Sequence, residues 1–186
     1  PSIHSLISDQ SRERLIIGSK YGITVLDPIR GYTSEFHFAP GFESYTKIRQ
    51  YLGDSDFLLI GTNSGIHLVE MENGLPVMAS IHSSEIGQVT DILPLKSYSD
   101  SVEMLLLGGS GAWRLVIDND DGWSSNPMEI EKIESLSTML EESNATAISS
   151  GHIEMPGRTP LVMIGTDSGL IAWNTTCLLY TSDAAD

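Results

Sequence analysis

The stretch Leu58-Leu59-Ile60-Gly61-Thr62-Asn63-Ser64-Gly65-Ile66-His67-Leu68-Val69 decides the fold of this chain. Two runs of apolar residues meet at a short polar segment between two glycines. Such runs favour β-strands, because glycines at two fixed positions would be costly inside a helix. Asn63 begins a turn, and Gly65 supplies the positive φ with which the chain re-enters the ladder. The stretch therefore predicts a β-hairpin.

The same layout occurs four times along the chain. In each copy an apolar run ends at a first glycine, and a second glycine follows after a short turn. The pairs are Gly18 and Gly22, Gly61 and Gly65, Gly108 and Gly111, and Gly165 and Gly169. Because the third pair is closer by one residue, we expect a turn one residue shorter there. The first glycines are 43, 47 and 57 residues apart, which is the period of β-propeller blades.

The repeat predicts an all-β fold, a partial β-propeller of about four consecutive four-stranded antiparallel blades, the last one incomplete. The blades are expected at about residues 1–42, 43–85, 86–140 and 141–176. The first strand of each blade is predicted at 3–7, 46–52, 89–93 and 145–149, and outer strands at 35–38, 78–82 and 129–133. Residues 134–142 predict a short helix in the insertion before the last blade. An incomplete ring would leave apolar faces open, so we expect low stability or aggregation.

We expect both ends of the chain to differ from a natural gene product. The sequence begins at Pro1 without a methionine, so we expect that the true N-terminus is missing. Residues 177–186 break from the repeat and resemble a translated sequencing adaptor, which predicts a non-native tail. A genuine tail is the alternative. Without that segment the net charge is −13 instead of −15, since Asp183 and Asp186 are lost.

Composition narrows the class of partner. The chain is 40% hydrophobic and carries a net charge of −15, which argues against binding nucleic acid or anionic membranes. No apolar run reaches the length of a membrane span. The one cysteine, Cys177, lies in the adaptor-like segment, so residues 1–176 have neither disulfides nor thiolate metal sites. An extracellular or periplasmic location is favoured over a cytoplasmic one.

The apolar-Ile-Gly-Thr-x-Ser-Gly pattern at residues 59–65 and 163–169 resembles the blades of two-component-regulator and quinoprotein-like propellers. The resemblance covers about residues 3–176 and implies a WD40/YVTN-like or PQQ-like ring. Sensory repeats of this kind commonly carry Trp where Leu59 and Met163 stand. Quinoprotein dehydrogenases typically use a vicinal disulfide and acidic metal ligands, and residues 1–176 contain no cysteine. We therefore assign no catalytic residue and no organic cofactor.

One acidic loop is a candidate metal site. Asp118 and Asp120 stand at alternate positions of Asp118-Asn119-Asp120-Asp121-Gly122, as oxygen ligands do in loops that wrap Ca²⁺. The spacing is one residue short of the EF-hand pattern, and no closing acidic ligand follows. The alternative is a solvated turn between two strands.

Other polar residues give weaker indications. The histidines at positions 4, 37, 67, 82 and 152 lack paired metal-ligand spacing. His4, His152 and Asp91 lie on or near predicted first strands, where they could face a central channel. Ser110 lies in a hairpin without a catalytic partner. Trp113 and Trp173 lie on equivalent strands and predict packing between blades, with a platform for a ligand as the alternative.

The sequence favours a non-catalytic binding module, the sensory or scaffold part of a larger protein, with a protein or small-molecule partner at the propeller face. One alternative is a quinoprotein- or lyase-like propeller enzyme whose channel active site lies outside this chain. Another alternative is a structural surface protein. Fold alone does not choose among these functions.

Overall fold

A computed structural model describes most of the chain. The described residues are 3–9, 13–19, 22–29, 31–36, 45–50, 57–70, 77–109, 111–118, 127–153 and 161–175. Among them, no helix is long and apolar enough to cross a membrane.

Strands form four antiparallel sheets, and within each sheet the strand order follows the chain. Blade 1 contains β1 Ile3–Asp9, β2 Arg14–Ser19, β3 Gly22–Asp27 and β4 Tyr32–Phe36. Blade 2 contains β5 Tyr45–Gln50, β6 Phe57–Thr62, β7 Gly65–Glu70 and β8 Val77–His82. Blade 3 contains β9 Val89–Ser97, β10 Ser101–Gly108, β11 Gly111–Asp118 and β12 Met128–Lys132. Blade 4 contains β13 Ala147–Ile153, β14 Leu161–Thr166 and β15 Gly169–Asn174, and helix α1 Glu134–Glu142 precedes it.

These elements confirm the predicted fold class and the helix at 134–142. Three inner strands run past their expected ends, since β1 continues to Asp9, β9 to Ser97 and β13 to Ile153. Strand β5 ends at Gln50, before its expected end at 52, and β13 begins at Ala147 instead of 145. The first strands of successive blades lie side by side, with β1 against β5, β5 against β9 and β9 against β13. Each sheet therefore extends outward from a common inner edge, as the blades of a ring do.

The apolar core lies between the blades. One cluster joins blades 1 and 2 through residues such as Ile16, Leu58 and Ile60. Another joins blades 2 and 3, and Trp113 is buried in it. The third fills the space between blades 3 and 4, with Trp173 and residues of α1. Both tryptophans therefore pack between blades, as their repeated positions predict.

The expected shorter turn in blade 3 is wrong. Ser19 pairs with Gly22, Gly108 with Gly111 and Thr166 with Gly169, so the loop between the paired residues has two positions in each case. Gly108 therefore takes the place that Ser19 and Thr166 have in their blades. The first glycine of blade 3 thus lies one position closer to the loop than in blades 1 and 4, and the loop has the same length in all three.

The serine or threonine at that place supports the loop in the other blades. Thr62 Oγ1 donates to the Gly65 carbonyl at 3.2 Å, and Thr166 Oγ1 donates to the Gly169 carbonyl at 3.0 Å. Ser19 makes the same bond to Gly22 at 3.2 Å. Gly108 has no hydroxyl, and it is a glycine for another reason. A Cβ there would overlap the Ile86 carbonyl oxygen and lie 2.9 Å from the Trp113 ring.

Each inner strand carries a β-bulge near its start. The ladder skips one residue of the inner strand opposite the hairpin, and the skipped residues are His4, Thr46, Thr90 and Ile148. A bulge adds local twist and marks the same position in all four blades. The hairpin loops and the starts of the inner strands therefore lie at one end of the blades, which we call the hairpin end.

The two outermost blades expose apolar side chains that have no neighbouring sheet among the described residues. In blade 1, Ile3 is 66% and Leu6 65% exposed. In blade 4, Leu170 is 68% and Ile148 56% exposed. We call these surfaces the free faces of blades 1 and 4. Open apolar faces agree with the incomplete ring that the repeat predicts.

Candidate functional site

Helix α1 continues the edge of blade 3 where strand β12 ends. Ile133 N–H donates to the Ala112 carbonyl at 2.9 Å. Further along the helix, the fully buried Ser137 hydroxyl accepts from Ala112 N–H at 3.1 Å and donates to its carbonyl at 3.3 Å. The Ser137 side chain thus satisfies the Ala112 N–H, which would be costly to bury unpaired, and adds a second bond to the carbonyl that already accepts from Ile133. Leu136 and Leu140 are also buried, so the helix is fixed between blades 3 and 4.

The helix packs closely over the blade 3 hairpin. A Cβ at Gly111 would lie 2.8 Å from Ser137 Oγ, and Gly111 has a φ of +151°. Gly111 therefore meets two requirements, a backbone conformation that L residues rarely adopt and a close approach of the helix. Gly65 and Gly169, at the equivalent hairpin positions, also have positive φ, at 149° and 142°.

The C-terminus of α1 turns the chain into blade 4. Asn144 adopts a left-handed φ of 47°, and Ala145 N–H donates back to the Leu140 carbonyl at 3.0 Å. This arrangement closes the helix as a left-handed C-terminal residue commonly does. Thr146 then begins the approach to β13 and bonds to the blade 4 hairpin.

Thr146 and Asp167 bond to each other twice. Thr146 N–H donates to Asp167 Oδ1 at 2.8 Å, and Asp167 N–H donates to the Thr146 carbonyl at 3.2 Å. The bond from Thr146 N–H holds the pKa of the Asp167 carboxyl below its usual range, partly opposed by desolvation, and the Ser168 hydroxyl acts in the same direction as Thr146. An ionised carboxylate is therefore fixed beside Thr146 at neutral pH.

These features enclose a cleft at the hairpin end between blades 3 and 4. Its volume is about 300 Å³. The cleft is lined by Gly108, Gly109, Gly111, Leu140, Glu141, Asn144, Ala145 and Thr146. On one side the lining is the backbone of Gly108, Gly109 and Gly111, and on the other it is the end of a helix with an exposed carboxylate. The cleft can therefore offer apolar contact, backbone groups and one negative charge to a small ligand.

The predicted calcium loop remains untested. Asp118 is the last residue of β11 and is exposed, and its N–H donates to the Pro127 carbonyl at 2.9 Å. Asp120 lies outside the described residues. Within the described part of the chain, no three His, Cys, Asp or Glu residues come together as a metal site would require.

The inner-strand candidates connect blades. Asp91 is buried on β9, and its Oδ2 accepts from Ser150 N–H at 2.6 Å and from the Ser150 hydroxyl at 2.8 Å. His152, two residues further along β13, contacts the Pro94 carbonyl through Nε2. Both side chains thus bond across from β9 to β13. In these contacts Asp91 and His152 join the inner edges of blades 3 and 4.

Among the remaining histidines, the structure describes the side chain of His67, which lies away from these residues. His67 is buried in blade 2, where its Nδ1 lies 2.7 Å from Ser80 Oγ. The side chains of His4 and His82, and the whole of His37 and Ser110, lie outside what the structure describes.

The charged residues of blade 3 form a cross-strand network. Arg114 on β11 lies 2.5 Å from Glu103 on β10 and 3.5 Å from Glu131 on β12. Hydrogen bonding to Glu103 raises the pKa of Arg114 above its already high value. The network joins three strands of one sheet, which is a structural role.

Comparison with known proteins identifies the fold. No protein-family model matches the sequence, and no curated protein matches it. YCF48 from Cyanidioschyzon merolae superposes with a TM-score of 0.58 at 13% identity, over 94% of this chain and 51% of that one. The dihydro-heme d1 dehydrogenase NirN, solved in complex with DHE, gives 0.58 at 14% identity over 92% and 35%. The WD40 domain of SCAP from fission yeast gives 0.54 at 15% identity over 92% and 39%.

The fold is a partial β-propeller. At such low identity the likeness shows the fold alone. The chain spans between about a third and a half of the length of these three structures. The superposition thus agrees with four sheets that follow one another around an inner edge.

Sequence reasoning missed the residues of the cleft. The sequence marks Gly108 and Gly111 as turn glycines, but nothing in it brings Glu141, Thr146 and Asp167 together. Their proximity depends on a hydrogen bond that spans 21 residues and on a helix folded over a glycine turn. One signal was available in the sequence. Gly108 and Gly165 are 57 residues apart, more than the other first glycines, which indicates an insertion between blades 3 and 4.

Proposed function

We propose that this chain belongs to a non-catalytic binding propeller that holds its partner at the hairpin end, in the cleft between blades 3 and 4. The observation that carries the proposal is the cleft itself. Its size lies at the lower limit of small-ligand pockets, which suits a small molecule or a single side chain of a protein partner. Its walls are a helix held by the bond between Ser137 and Ala112 and the backbone of Gly109, whose N–H donates to the Gln88 carbonyl at 2.9 Å, and such held walls favour a cleft formed before any partner arrives.

The insertion supports this role. Loops and insertions at one end of a rigid scaffold commonly carry binding residues. Here α1 adds a wall to a blade that would be complete without it. A sensory or scaffold role within a larger protein is the biological setting we favour for such a module. Enzymatic activity of the quinoprotein or lyase kind stays an alternative prediction from the sequence, and it would need residues from several inner strands.

A filled cleft tests the proposal. A Cβ at Gly109 meets no atom within 4 Å, so Gly109→Leu should place a side chain beside the cleft without disturbing the fold. A Cβ at Gly151 also meets no atom within 4 Å, but Gly151 lies on β13 and does not line the cleft. Gly151→Leu is therefore the matched control.

The measurement is selection of a random peptide library on the immobilised full chain. We expect peptides that bind the wild type and Gly151→Leu and fail to bind Gly109→Leu. Peptides that bind all three proteins equally, or a selection without enrichment, would overturn the proposal. Thermal unfolding of the three proteins verifies that each variant is folded.

A further inference from the structure

Glu141 is the one charged residue among the described residues that line the cleft. Glu141 lies in the last turn of α1, where the helix also presents the negative end of its dipole, and no basic residue stands in that turn. Asp167 adds a second ionised carboxylate behind Thr146. An acidic residue at a helix C-terminus is repelled by the negative end of the helix dipole. Helices more often carry Lys or Arg in that turn. The cleft thus retains an arrangement that costs the helix stability.

Lys132 of this chain shows that a lysine side chain fits beside Gly111 and Glu141. Lys132 extends from the end of β12, and its Cε would lie 3.7 Å from a Cβ at Gly111, on the cleft lining. Its Nζ lies 3.8 Å from Glu141 Oε1 and 3.6 Å from Glu134 Oε2. An alkyl stem along the glycine hairpin with an ammonium near Glu141 is therefore an arrangement that the structure itself contains.

We propose that the cleft binds a lysine side chain of a protein partner, with the ammonium at Glu141 and the methylene stem between the glycine hairpin and Leu140. This inference rests on the proposed binding function and specifies its ligand. Lys132 competes for Glu141, because both ammonium groups need the same carboxylate. The pairs that Lys132 makes are long and exposed, so displacing it costs little.

The test uses Nα-acetyl-lysine amide as the probe and its uncharged norleucine counterpart as the control. Binding is followed by NMR at the backbone amides of Gly109 and Thr146 of the full chain. We expect shifts with the lysine probe that weaken as salt is raised, since the pair is exposed to solvent. Equal shifts with the norleucine probe would overturn the inference while leaving a binding cleft in place.

Two matched substitutions locate the charge. Glu141→Gln should weaken the lysine probe by about three- to fivefold, the range of an exposed ion pair. Glu142→Gln removes the same charge from the next residue, which does not line the cleft, and should change affinity much less. Lys132→Met should strengthen binding, because the competing ammonium is gone. Equal weakening by the two glutamate variants would overturn the assignment to Glu141.

The outcomes separate the two proposals. If selected peptides lose binding to Gly109→Leu but contain no lysine and bind Glu141→Gln normally, the cleft is a binding site for another ligand. If no peptide depends on the cleft, the proposed function itself is wrong.

Discussion

Strands β6 and β14 have nearly the same sequence and very different surroundings. Leu58-Leu59-Ile60-Gly61-Thr62 in blade 2 is buried on both faces, whereas Val162-Met163-Ile164-Gly165-Thr166 in blade 4 is buried at alternate residues only. The difference comes from the neighbours, because blade 2 lies between two sheets, whereas blade 3 is the one sheet that packs against blade 4 within the described residues. The same motif therefore contributes more to the free energy of unfolding in blade 2 than in blade 4, because more of its apolar surface is buried there.

The largest expected effect tests this difference directly. Leu59 and Met163 occupy equivalent positions, but Leu59 is fully buried between blades 2 and 3. Leu59→Ala should lower the free energy of unfolding by about 2–5 kcal/mol. Met163→Ala should lower it by no more than about 1 kcal/mol, since its side chain is already partly exposed. Urea unfolding followed by tryptophan fluorescence measures both values.

Equal losses for the two variants would contradict the comparison. They would mean that the free face of blade 4 is covered in solution, as it would be in aggregates. Sedimentation at the same protein concentrations distinguishes the two explanations. Aggregates would show that the free face is covered, whereas a monomer would show that the burial of Met163 is assigned wrongly.

A smaller effect distinguishes the two hairpin glycines. Gly111 and Gly169 both have a left-handed φ, but a Cβ at Gly111 would lie 2.8 Å from Ser137 Oγ, whereas one at Gly169 would meet nothing within 4 Å. Backbone strain should cost each alanine variant about 1–3 kcal/mol. Gly111→Ala should lose additional stability because Ser137 must move. The free energy of unfolding of the two variants gives the difference.

The helix contact has its own control. Ser137→Ala removes the side-chain oxygen that a Cβ at Gly111 would meet, so Gly111→Ala should cost less in that background. If the cost stays the same, the contact between the helix and the hairpin does not explain the glycine at 111.

The smallest effect concerns pH. The pKa of Asp167 is lowered in the folded state by the Thr146 N–H, so this carboxylate stabilises the fold above its unfolded pKa of about 4. The stabilisation is lost as the pH falls through the lower, folded pKa. Blade 2 has Asn63 at the equivalent position and offers no such titration. The stability difference between wild type and Asp167→Asn should therefore disappear in acid.

NMR measures this directly through the Thr146 amide shift during an acid titration. The wild-type amide should titrate with a midpoint below that of an exposed aspartate, and Asp167→Asn should show no step. A wild-type midpoint at or above the ordinary value would contradict the proposed hydrogen bond.

The fold was predictable because its signals are local. Four glycine-marked hairpins and alternating strands specify the sheets, and the amphipathic run at 134–142 specifies the helix. The turn in blade 3 was predicted wrongly because a glycine has more than one use. Gly108 is small to admit Ile86 and Trp113, and the sequence alone gives that glycine the same appearance as Gly61.

The cleft was not predictable because it joins parts of the chain through packing. Gly108, Gly109 and Gly111 meet residues 140–146 because Ser137 bonds to Ala112 and the helix lies over the turn. No short sequence motif predicts this contact between α1 and the hairpin. Asp91 lies on an inner strand as the sequence predicts, but the two bonds that its carboxylate accepts from Ser150 depend on the approach of β13, which the sequence does not show.

The uniform loop length has a practical consequence for protein engineering. Residues 61–65 and 165–169 share Gly-Thr-x-Ser-Gly and the same hydroxyl support, so these hairpins are exchangeable cassettes between blades. The hairpin of blade 3 is not exchangeable. A threonine in place of Gly108 would collide with Ile86, and the helix above Gly111 has no counterpart elsewhere among the described blades. A designer who extends this ring by copying blades should therefore use blade 2 as the template.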